Sequence, residues 1–448
     1  MTAPDAAVNS PRHPAGGRFQ TVLHFPPALR HPATLWLAFF AVHVLLVWLN
    51  LTAYGLPLGD VTIVYTFWVD QLVSNGYWVG IDSAWVYPVL AIVPMLLALA
   101  AGPDLYGLSW LVLMTVLNAA AFGTLIGWRG AARNVGAAWW WLAFLFALGP
   151  IALGRIDAVT VPLAIIGALL VVKHPAAATV VLTIAAWIKV WPAALVGALI
   201  IAARERWRIL ATALGASAVI IAVALLLGSG GNVLSFIAQQ TGRGLQVEAP
   251  VSTFWLWRVF GGDRTSSVYY DNAILTWQVK GPGVVETALV MTGVQVLVVL
   301  GLIALAIFAM RGGATATELF APLSLAFVLA LIAFNKVGSP QFVSWLAVPV
   351  ILGLVLHRRG RGWSFAVPAL LVGVIAVLTH VMYPYLYGYV LTVHPLMLMV
   401  VTVRNALYFV VLAWAVVRLW RLSVEEPEQL GVVASAESAE SAEVGELR

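Results

Sequence analysis

The chain has 448 residues, of which 62% are apolar and 10% charged, and its mean hydropathy is +0.95. Its 24 Lys and Arg and 19 Asp and Glu residues are too few to cover the surface of a soluble protein of this size, so a soluble fold is excluded. The absence of cysteine excludes disulfides, thiolate nucleophiles and cysteine-bound metal sites. The net charge of +5 does not indicate nucleic-acid binding, because the basic residues lie in short clusters between apolar runs.

Apolar runs that approach the length needed to cross a bilayer, about 20 residues, recur along the chain. The sequence therefore predicts an all-α polytopic membrane protein with about 12 transmembrane helices. The predicted spans are residues 33–54, 105–127, 135–153, 157–172, 176–189, 191–203, 208–228, 284–309, 318–335, 342–356, 364–382 and 395–417. Residues 1–32 and the acidic residues 421–448 are predicted to be disordered cytoplasmic tails.

Clusters of Lys and Arg predict which loops are cytoplasmic, because short basic loops resist translocation. The clusters are Arg129 and Arg133, Lys173, Arg204 with Arg206 and Arg208, Arg311, and Arg358 with Arg359 and Arg361. All five are cytoplasmic if the N-terminus is inside and the apolar run 85–101 is a partly embedded outer segment. A single kinked helix over 175–203 is the competing solution. The predicted outer face then carries the long connections 55–104 and 229–283 and the tyrosine-rich stretch 380–394.

Asp60 follows a Gly- and Pro-rich turn directly after the first predicted span. A carboxylate held at the boundary between water and lipid reaches both an aqueous cavity and a lipid headgroup, and this position suits a general base. The alternative interpretation is a solvated loop residue or the N-cap of a juxtamembrane helix that begins in the following apolar run.

Three further charges interrupt apolar runs near the predicted outer face. Arg155 and Asp157 are expected either to face a polar cavity, where an Arg can bind phosphate with two hydrogen bonds, or to form a salt bridge at a helix end. Lys189 would cost ~3 kcal/mol at a helix centre, so we expect it to meet an anion; snorkelling towards the interface is the alternative.

Two polar outer loops complete the candidate residues. Lys336 lies in the stretch from Asn335 to Gln341, where Gly, Ser and Pro open the backbone and amide donors as well as the ammonium are available to a phosphate. Arg243, in the stretch from Gly242 to Glu248, is a further anion-binding candidate, with plain solvation as the alternative.

The order and spacing of these short motifs resemble a known family. The motifs are Gly59-Asp60, Tyr87-Pro88, Gly154-Arg155-Ile156-Asp157, Ile188-Lys189 followed by Pro192, the stretch from Gly242 to Glu248, and the stretch from Asn335 to Gln341. Together they resemble actinobacterial members of glycosyltransferase family 87, which belongs to the GT-C superfamily of polyprenyl-phosphate-sugar-dependent enzymes. The resemblance covers residues 34–420, so the predicted catalytic domain is 33–420.

The resemblance implies a GT-C fold with juxtamembrane helices in the outer loops. We expect an inverting enzyme of the bacterial plasma membrane, active on its extracytoplasmic face. The donor would be a polyprenyl-phosphate-sugar, most often mannose, and the acceptor a lipid-linked glycan of the phosphatidylinositol mannoside or lipomannan type. Asp60 matches the catalytic carboxylate. Lys336, Arg155, Lys189 and Arg243 are expected at the donor phosphate, with Asp157, Glu248, Gln341, Tyr87 and Asn335 as supporting or acceptor-binding residues.

Asp60 has no second carboxylate beside it in the sequence, which favours a site without a metal or other cofactor. A monomer that binds membrane lipids and no nucleic acid is expected. The alternatives from other classes are a membrane transporter or lipid flippase, and a structural membrane scaffold. The lack of internal repeats and the polar loops on one predicted face argue against the first. The clustering of costly charges argues against the second.

Overall fold

The computed structural model describes residues 25–424, in which helices and one small β-hairpin alternate. The helices are α1 Pro27–Arg30, α2 Pro32–Thr52, a π-helix Asp60–Tyr65, α3 Thr66–Asn75, α4 Ile92–Leu97, α5 Tyr106–Ile126, α6 Val135–Leu148, α7 Asp157–Leu170, α8 Pro175–Ile188, α9 Ala193–Ala202, α10 Arg206–Leu226, α11 Ser235–Thr241, α12 Thr253–Phe260, α13 Val284–Arg311, α14 Ala316–Ala333, α15 Ala347–Arg358, α16 Ala366–Met382, α17 Tyr387–Leu391 and α18 Pro395–Val424. Short 3₁₀ segments lie at Val89–Ala91, Ala98–Ala101, Pro103–Leu105, Gly149–Ala152, Gly230–Leu234, Pro250–Ser252 and Pro340–Leu346. The strands are β1 Ser267–Asp271 and β2 Thr276–Lys280.

Eight helices within residues 25–424 are long and apolar enough to cross a membrane. They are Pro32–Thr52, Pro103–Ile126, Val135–Ala152, Arg206–Leu226, Val284–Arg311, Ala316–Ala333, Pro340–Arg358 and Pro395–Val424. The chain is therefore a helical multi-pass membrane protein, as the apolar runs predict. The α14 helix is buried almost throughout, whereas α10 and α13 leave most of their apolar side chains fully or partly exposed, as helices that face lipid do.

Four of the predicted spans are shorter helices. The runs 157–172, 176–189, 191–203 and 364–382 form helices of 14, 14, 10 and 17 residues. The break between α8 and α9 has a local cause: Lys189 takes an extended conformation at the end of α8, and Pro192 has no backbone N–H to continue the helical hydrogen bonds. A ten-residue helix extends only ~15 Å, about half of the hydrocarbon core.

The helices run between two ends of the bundle that differ in charge. The α6 helix begins after Asn134 and ends before Arg155, and α15 begins after Trp345 and ends at Arg358. We call the end that carries Asp60 and Arg155 the site end, and the end that carries Arg129, Arg133, Arg358 and Arg359 the basic end. By the same connectivity the other predicted basic clusters lie at the basic end: Lys173 follows α7, Arg204 follows α9 and Arg311 ends α13.

The apolar segment 85–101 begins and ends at the site end. Its first aromatic side chains, Trp85 and Tyr87, contact Trp68, which lies in α3. Within the segment, the Met95 carbonyl accepts a hydrogen bond from the Tyr106 hydroxyl at the start of α5, at 2.9 Å, and the segment ends shortly before α5. Its helical part, Val89–Ala101, is a short α-helix between two 3₁₀ turns and is not one of the eight helices long enough to cross a membrane.

The β-hairpin is a local departure from the all-α expectation. Strands β1 and β2 pair antiparallel, with Tyr270 opposite Trp277 and their rings 5.1 Å apart. Aromatic and β-branched residues in both strands favour this pairing. Val247 donates to the Trp277 carbonyl at 3.1 Å, which fixes the hairpin against the 242–248 stretch at the site end.

The predicted tails lie mostly outside the described residues. Residues 1–24 and 425–448 are not described. Residues 25–32, assigned to the first tail, instead lead through the short helix Pro27–Arg30 into α2, and α18 continues to Val424.

Candidate functional site

The Asp60 carboxylate lies next to the Arg155 guanidinium at the site end. Its Oδ2 atom is 3.0 Å from Arg155 Nε, and 42% of its side chain is exposed. The preceding loops touch closely, because a Cβ at Gly154 would overlap the carbonyl of Pro57. Asp60 is the first residue of the π-helix and Gly59 occupies the cap position, so Asp60 is not an N-cap. Single π-helical turns of this kind are frequent at functional sites.

Arg155 is buried and is held by the protein on several sides. Besides Asp60, it donates to the carbonyls of Pro57 and Gly154, at 2.5 and 2.8 Å, and to the Tyr383 hydroxyl at 2.7 Å. Burial opposes its charge, but Asp60 and Tyr383 outweigh burial and hold the pKa of the guanidinium above its usual range. These bonds orient Arg155 towards Asp60 and leave it little capacity for another anion.

Arg155 and Asp157 do not pair with each other. Asp157, buried at the first turn of α7, accepts a hydrogen bond from Trp345 Nε1 at 2.6 Å, and its Oδ2 is 3.8 Å from Lys189 Nζ. The helix N-terminus favours a carboxylate there. The Trp345 ring stacks on Trp191 at 5.4 Å, so residues 188 positions apart meet around one carboxylate.

Lys189 points into the protein rather than snorkelling outwards. Its side chain is 18% exposed. Its Nζ lies 4.6 Å from the centre of the Tyr87 ring and 5.9 Å from that of Phe342. The ammonium is therefore placed between a carboxylate and two aromatic faces, as cation–π contacts require.

A second buried ion pair joins the 242–248 stretch to α18. Arg404 Nη1 is 3.3 Å from Glu248 Oε2, and Arg404 Nη2 donates to the Glu248 carbonyl at 3.1 Å. Burial raises the pKa of the Glu248 carboxyl, against the opposing effects of Arg404 and of a hydrogen bond from Tyr387. Asn405 receives two bonds from Arg404 and donates to Thr253, which completes the polar network within the bundle.

Lys336 is buried in the loop that packs against this network. Its carbonyl accepts a hydrogen bond from Gln246 at 3.0 Å. A Cβ at Gly338 would overlap the backbone of Glu248 and Ala249, so only Gly permits this approach. Burial lowers the pKa of the Lys336 ammonium. The 335–341 loop is therefore fixed against the Glu248 stretch.

The remaining predicted residues have separate roles in these loops. Asn335 Oδ1 accepts from the Val337 amide at 2.9 Å, and Gln341 Oε1 accepts from the Ser339 hydroxyl at 2.6 Å, so both side chains stabilise their own loop. Arg243 is half-buried, and its Nε has no hydrogen-bond partner within the described residues. Burial lowers the pKa of Arg243, while the nearby Tyr87 acts in the opposite direction.

Most of the predicted residues thus gather at one end of the bundle. Asp60 with Arg155, Asp157 with Lys189 and Tyr87, and Glu248 with Lys336 form three neighbouring groups. Arg155 acts electrostatically on Glu248, and Tyr87 on Arg243. All five buried Asp, Glu, Lys and Arg residues in 25–424, namely Arg155, Asp157, Glu248, Lys336 and Arg404, lie at the site end. Within the same residues, no three His, Asp or Glu side chains come together in a way that suits a metal ion.

The sequence-based reasoning missed Arg404, Tyr383 and Trp345. Arg404 could have been predicted from the sequence, because an Arg within an otherwise apolar span is energetically costly and is expected to face the bundle interior. The sequence does not mark Tyr383 or Trp345 as site residues, since an aromatic residue at the end of a span is ordinarily an interfacial residue.

Comparisons of the chain with protein-family models, with curated proteins and with solved structures find no match. The family resemblance therefore rests on the short motifs alone.

Proposed function

We propose that the chain is an inverting glycosyltransferase that moves a sugar from a polyprenyl-phosphate-sugar to a lipid-linked glycan acceptor at the extracytoplasmic face of the bacterial plasma membrane. The observation that carries the proposal is the partly exposed Asp60 carboxylate, which lies on the buried Arg155 at the end of the bundle where every buried charge of residues 25–424 is found. Buried charges are expensive, and their clustering is typical of functional sites.

In the proposed reaction the acceptor hydroxyl oxygen bonds to the anomeric carbon as the bond from that carbon to the phosphate oxygen breaks. Asp60 takes the hydroxyl proton, and the bonding electron pair leaves with the phosphate. Attack opposite to the leaving group inverts the anomeric centre, so a β-linked donor gives an α-glycoside. The leaving group is already good, so the protein supplies a base, alignment and positive charge.

The contacts divide the cations into two roles. Arg155 is a positioning residue, because its guanidinium already bonds Pro57, Gly154 and Tyr383 while holding Asp60. Lys189, Lys336 and Arg243 are the proposed phosphate-binding cations. Arg243 carries a buried Nε donor without a hydrogen-bond partner within residues 25–424, which suits an anion.

Transfer is expected to need no divalent metal ion. The charged group beside Asp60 is a guanidinium and not a second carboxylate, so the donor set for a cation is incomplete. Addition of a chelator to purified protein in proteoliposomes should leave the transfer rate unchanged. A rate that collapses with chelator and returns with Mg²⁺ or Mn²⁺ would contradict this part of the mechanism.

The central experiment compares Asp60→Asn with Asp104→Asn in a transfer assay from labelled polyprenyl-phosphate-mannose. Asp104 is an exposed carboxylate of the same predicted loop, in the turn Pro103–Leu105, and makes no salt bridge within the described residues. Loss of a general base should reduce kcat by about 10²- to 10⁴-fold in Asp60→Asn. Asp104→Asn should match the parent, and both variants should still bind donor lipid. More than a tenth of the parental activity in Asp60→Asn would discard the role.

One observation favours a transporter as the second candidate. The α8 and α9 helices are interrupted at Lys189, next to Asp157, and interrupted helices with charged residues also form transporter sites. An uptake assay in the same proteoliposomes separates the two functions. Solute movement without sugar transfer would favour the transporter.

A further inference from the structure

The basic end contains a cavity that the proposed sugar transfer does not use. Its volume is about 520 Å³, within the range of ordinary ligand sites, and it is lined by residues 129–134 together with Arg358 and Arg359. Four of the lining residues are arginines, namely Arg129, Arg133, Arg358 and Arg359. The cavity is therefore surrounded by charged side chains of a single positive sign.

Packing of two antiparallel helices builds this cavity. Residues 127–134 lead into α6, whereas Arg358 ends α15, and the two helices contact each other. The first turn is closed by a hydrogen bond from the Arg133 amide to the Ile126 carbonyl, at 2.8 Å, and by one from the Asn134 side chain to the Leu125 carbonyl, at 2.9 Å. The second is closed by bonds from the Arg359 and Arg361 amides to Leu356. The guanidinium groups are therefore carried on fixed backbone.

None of the four guanidinium groups makes a salt bridge within residues 25–424. Another arginine at the basic end does form a salt bridge: Arg208 pairs with Glu205 at 2.9 Å. Four like charges around one cavity repel each other, and a bound anion removes that repulsion. Arg also binds phosphate oxygens with two parallel hydrogen bonds.

The neighbouring residues place the cavity at headgroup level. Trp128, 66% exposed, directly precedes Arg129, and exposed Trp side chains mark the boundary between lipid and water. Basic pockets at the ends of transmembrane helices bind anionic phospholipid headgroups.

We propose that the cavity bounded by Arg129, Arg133, Arg358 and Arg359 is a binding site for a phosphate group, supplied by an anionic phospholipid headgroup. The site lies at the opposite end of the bundle from Asp60 and does not depend on the proposed transfer reaction.

The test measures lipid retained by the purified full-length protein in native mass spectrometry, with phosphatidylglycerol, phosphatidylcholine or inorganic phosphate as the added probe. The double substitution Arg129→Gln with Arg358→Gln is compared with Arg204→Gln with Arg206→Gln. The control pair removes the same charge from the same end, from exposed positions outside the cavity. Melting temperatures confirm that both pairs fold.

The parent should retain phosphatidylglycerol at least tenfold better than phosphatidylcholine, and only the cavity pair should lose this preference. The Asp60→Asn variant should keep it, which separates this proposal from the transfer mechanism. Binding of inorganic phosphate without phosphatidylglycerol binding would support the phosphate site but assign it to a soluble ligand. Equal losses in both pairs, or no preference in the parent, would overturn the proposal.

Discussion

The two ends of the helix bundle carry charge in opposite ways. The site end holds the buried charges of residues 25–424, which are of both signs and largely paired, as in Arg155 with the partly exposed Asp60 and Arg404 with Glu248. At the basic end, Arg129 and Arg358 are exposed and belong to clusters of a single sign. A buried charge needs hydrogen-bonding or oppositely charged partners, whereas exposed arginines stay hydrated and contribute to the orientation of a membrane protein. Substitutions of matched residues at the two ends should therefore have very different effects.

The largest effect on stability is expected for Arg404→Met, compared with Arg421→Met in the same helix. Loss of Arg404 leaves the Glu248 carboxylate buried without its cation, which should cost about 3–5 kcal/mol of unfolding free energy. Arg421 is exposed near the basic end, and its loss should change stability by about 0.5 kcal/mol or less. Thermal unfolding in detergent measures the stability of both variants. Equal shifts of melting temperature would contradict the expectation that the buried arginine contributes more to stability than the exposed one.

The loss of unfolding free energy caused by Arg404→Met should become smaller at low pH. Burial raises the pKa of the Glu248 carboxyl in the folded state above its ordinary value of 4.5, and loss of Arg404 should raise it further. The folded state therefore takes up a proton at a higher pH than the unfolded state, and its relative stability rises as the pH falls through the raised pKa. Adding Glu248→Gln to Arg404→Met should restore part of the stability at neutral pH. An unchanged deficit in the double variant would contradict the pairing.

The next effect is expected on catalysis, for Arg155→Lys compared with Arg206→Lys. A lysine ammonium cannot reach Asp60, Pro57 and Tyr383 together as the planar guanidinium does, so the Asp60 carboxylate is misoriented. We expect about a 10- to 100-fold loss of kcat with a smaller change of KM for donor. A change in the pH profile of kcat would identify a positioning role, whereas a loss of melting temperature alone would indicate a structural one. Arg206→Lys should retain parental kinetics.

A smaller effect is expected for Trp345→Phe, with Trp363→Phe as its control. Trp345 Nε1 donates to Asp157 at 2.6 Å, whereas the buried Nε1 of Trp363, near the basic end, has no hydrogen-bond partner within the described residues. Both substitutions remove similar ring area, so their difference reports the hydrogen bond to a buried carboxylate, about 1–3 kcal/mol. Equal destabilisation would show that the bond contributes nothing net.

The smallest effect is a shift of the pH profile in Lys336→Arg. Burial lowers the pKa of the Lys336 ammonium below its ordinary value of 10.5, so the positive charge at the proposed phosphate site should be lost at a lower pH than for a free lysine. Transfer should fall on the alkaline side below pH 10.5, and Arg, which stays protonated, should extend activity there by a few-fold. Lys280→Arg, on the exposed end of β2, should leave the profile unchanged. If the alkaline limb of the pH profile were the same in Lys336→Arg as in the parent, Lys336 would not be part of the proposed phosphate site.

Local sequence was sufficient for the membrane class and for the position of the basic clusters. The length of an apolar run and the grouping of Lys and Arg are properties of contiguous residues, and both act directly on how a segment inserts into the bilayer. The same reasoning marked Arg155, Asp157 and Lys189 as costly charges, since any charge inside an apolar run needs a partner wherever the chain folds. It identified Lys336 from the polar loop in which this residue lies.

Only the tertiary structure decided which charges pair. The sequence offered Arg155 and Asp157 to each other, but the first binds Asp60 and the second meets Lys189 and Trp345. It offered no partner for Glu248, which Arg404 supplies from 156 residues away. Partners so distant are set by helix packing and close loop contact, as at Gly154 and Gly338, and not by any local pattern. Composition thus determined the environment of this protein, and packing determined its site, because pairing energies depend on distance in space and not along the chain.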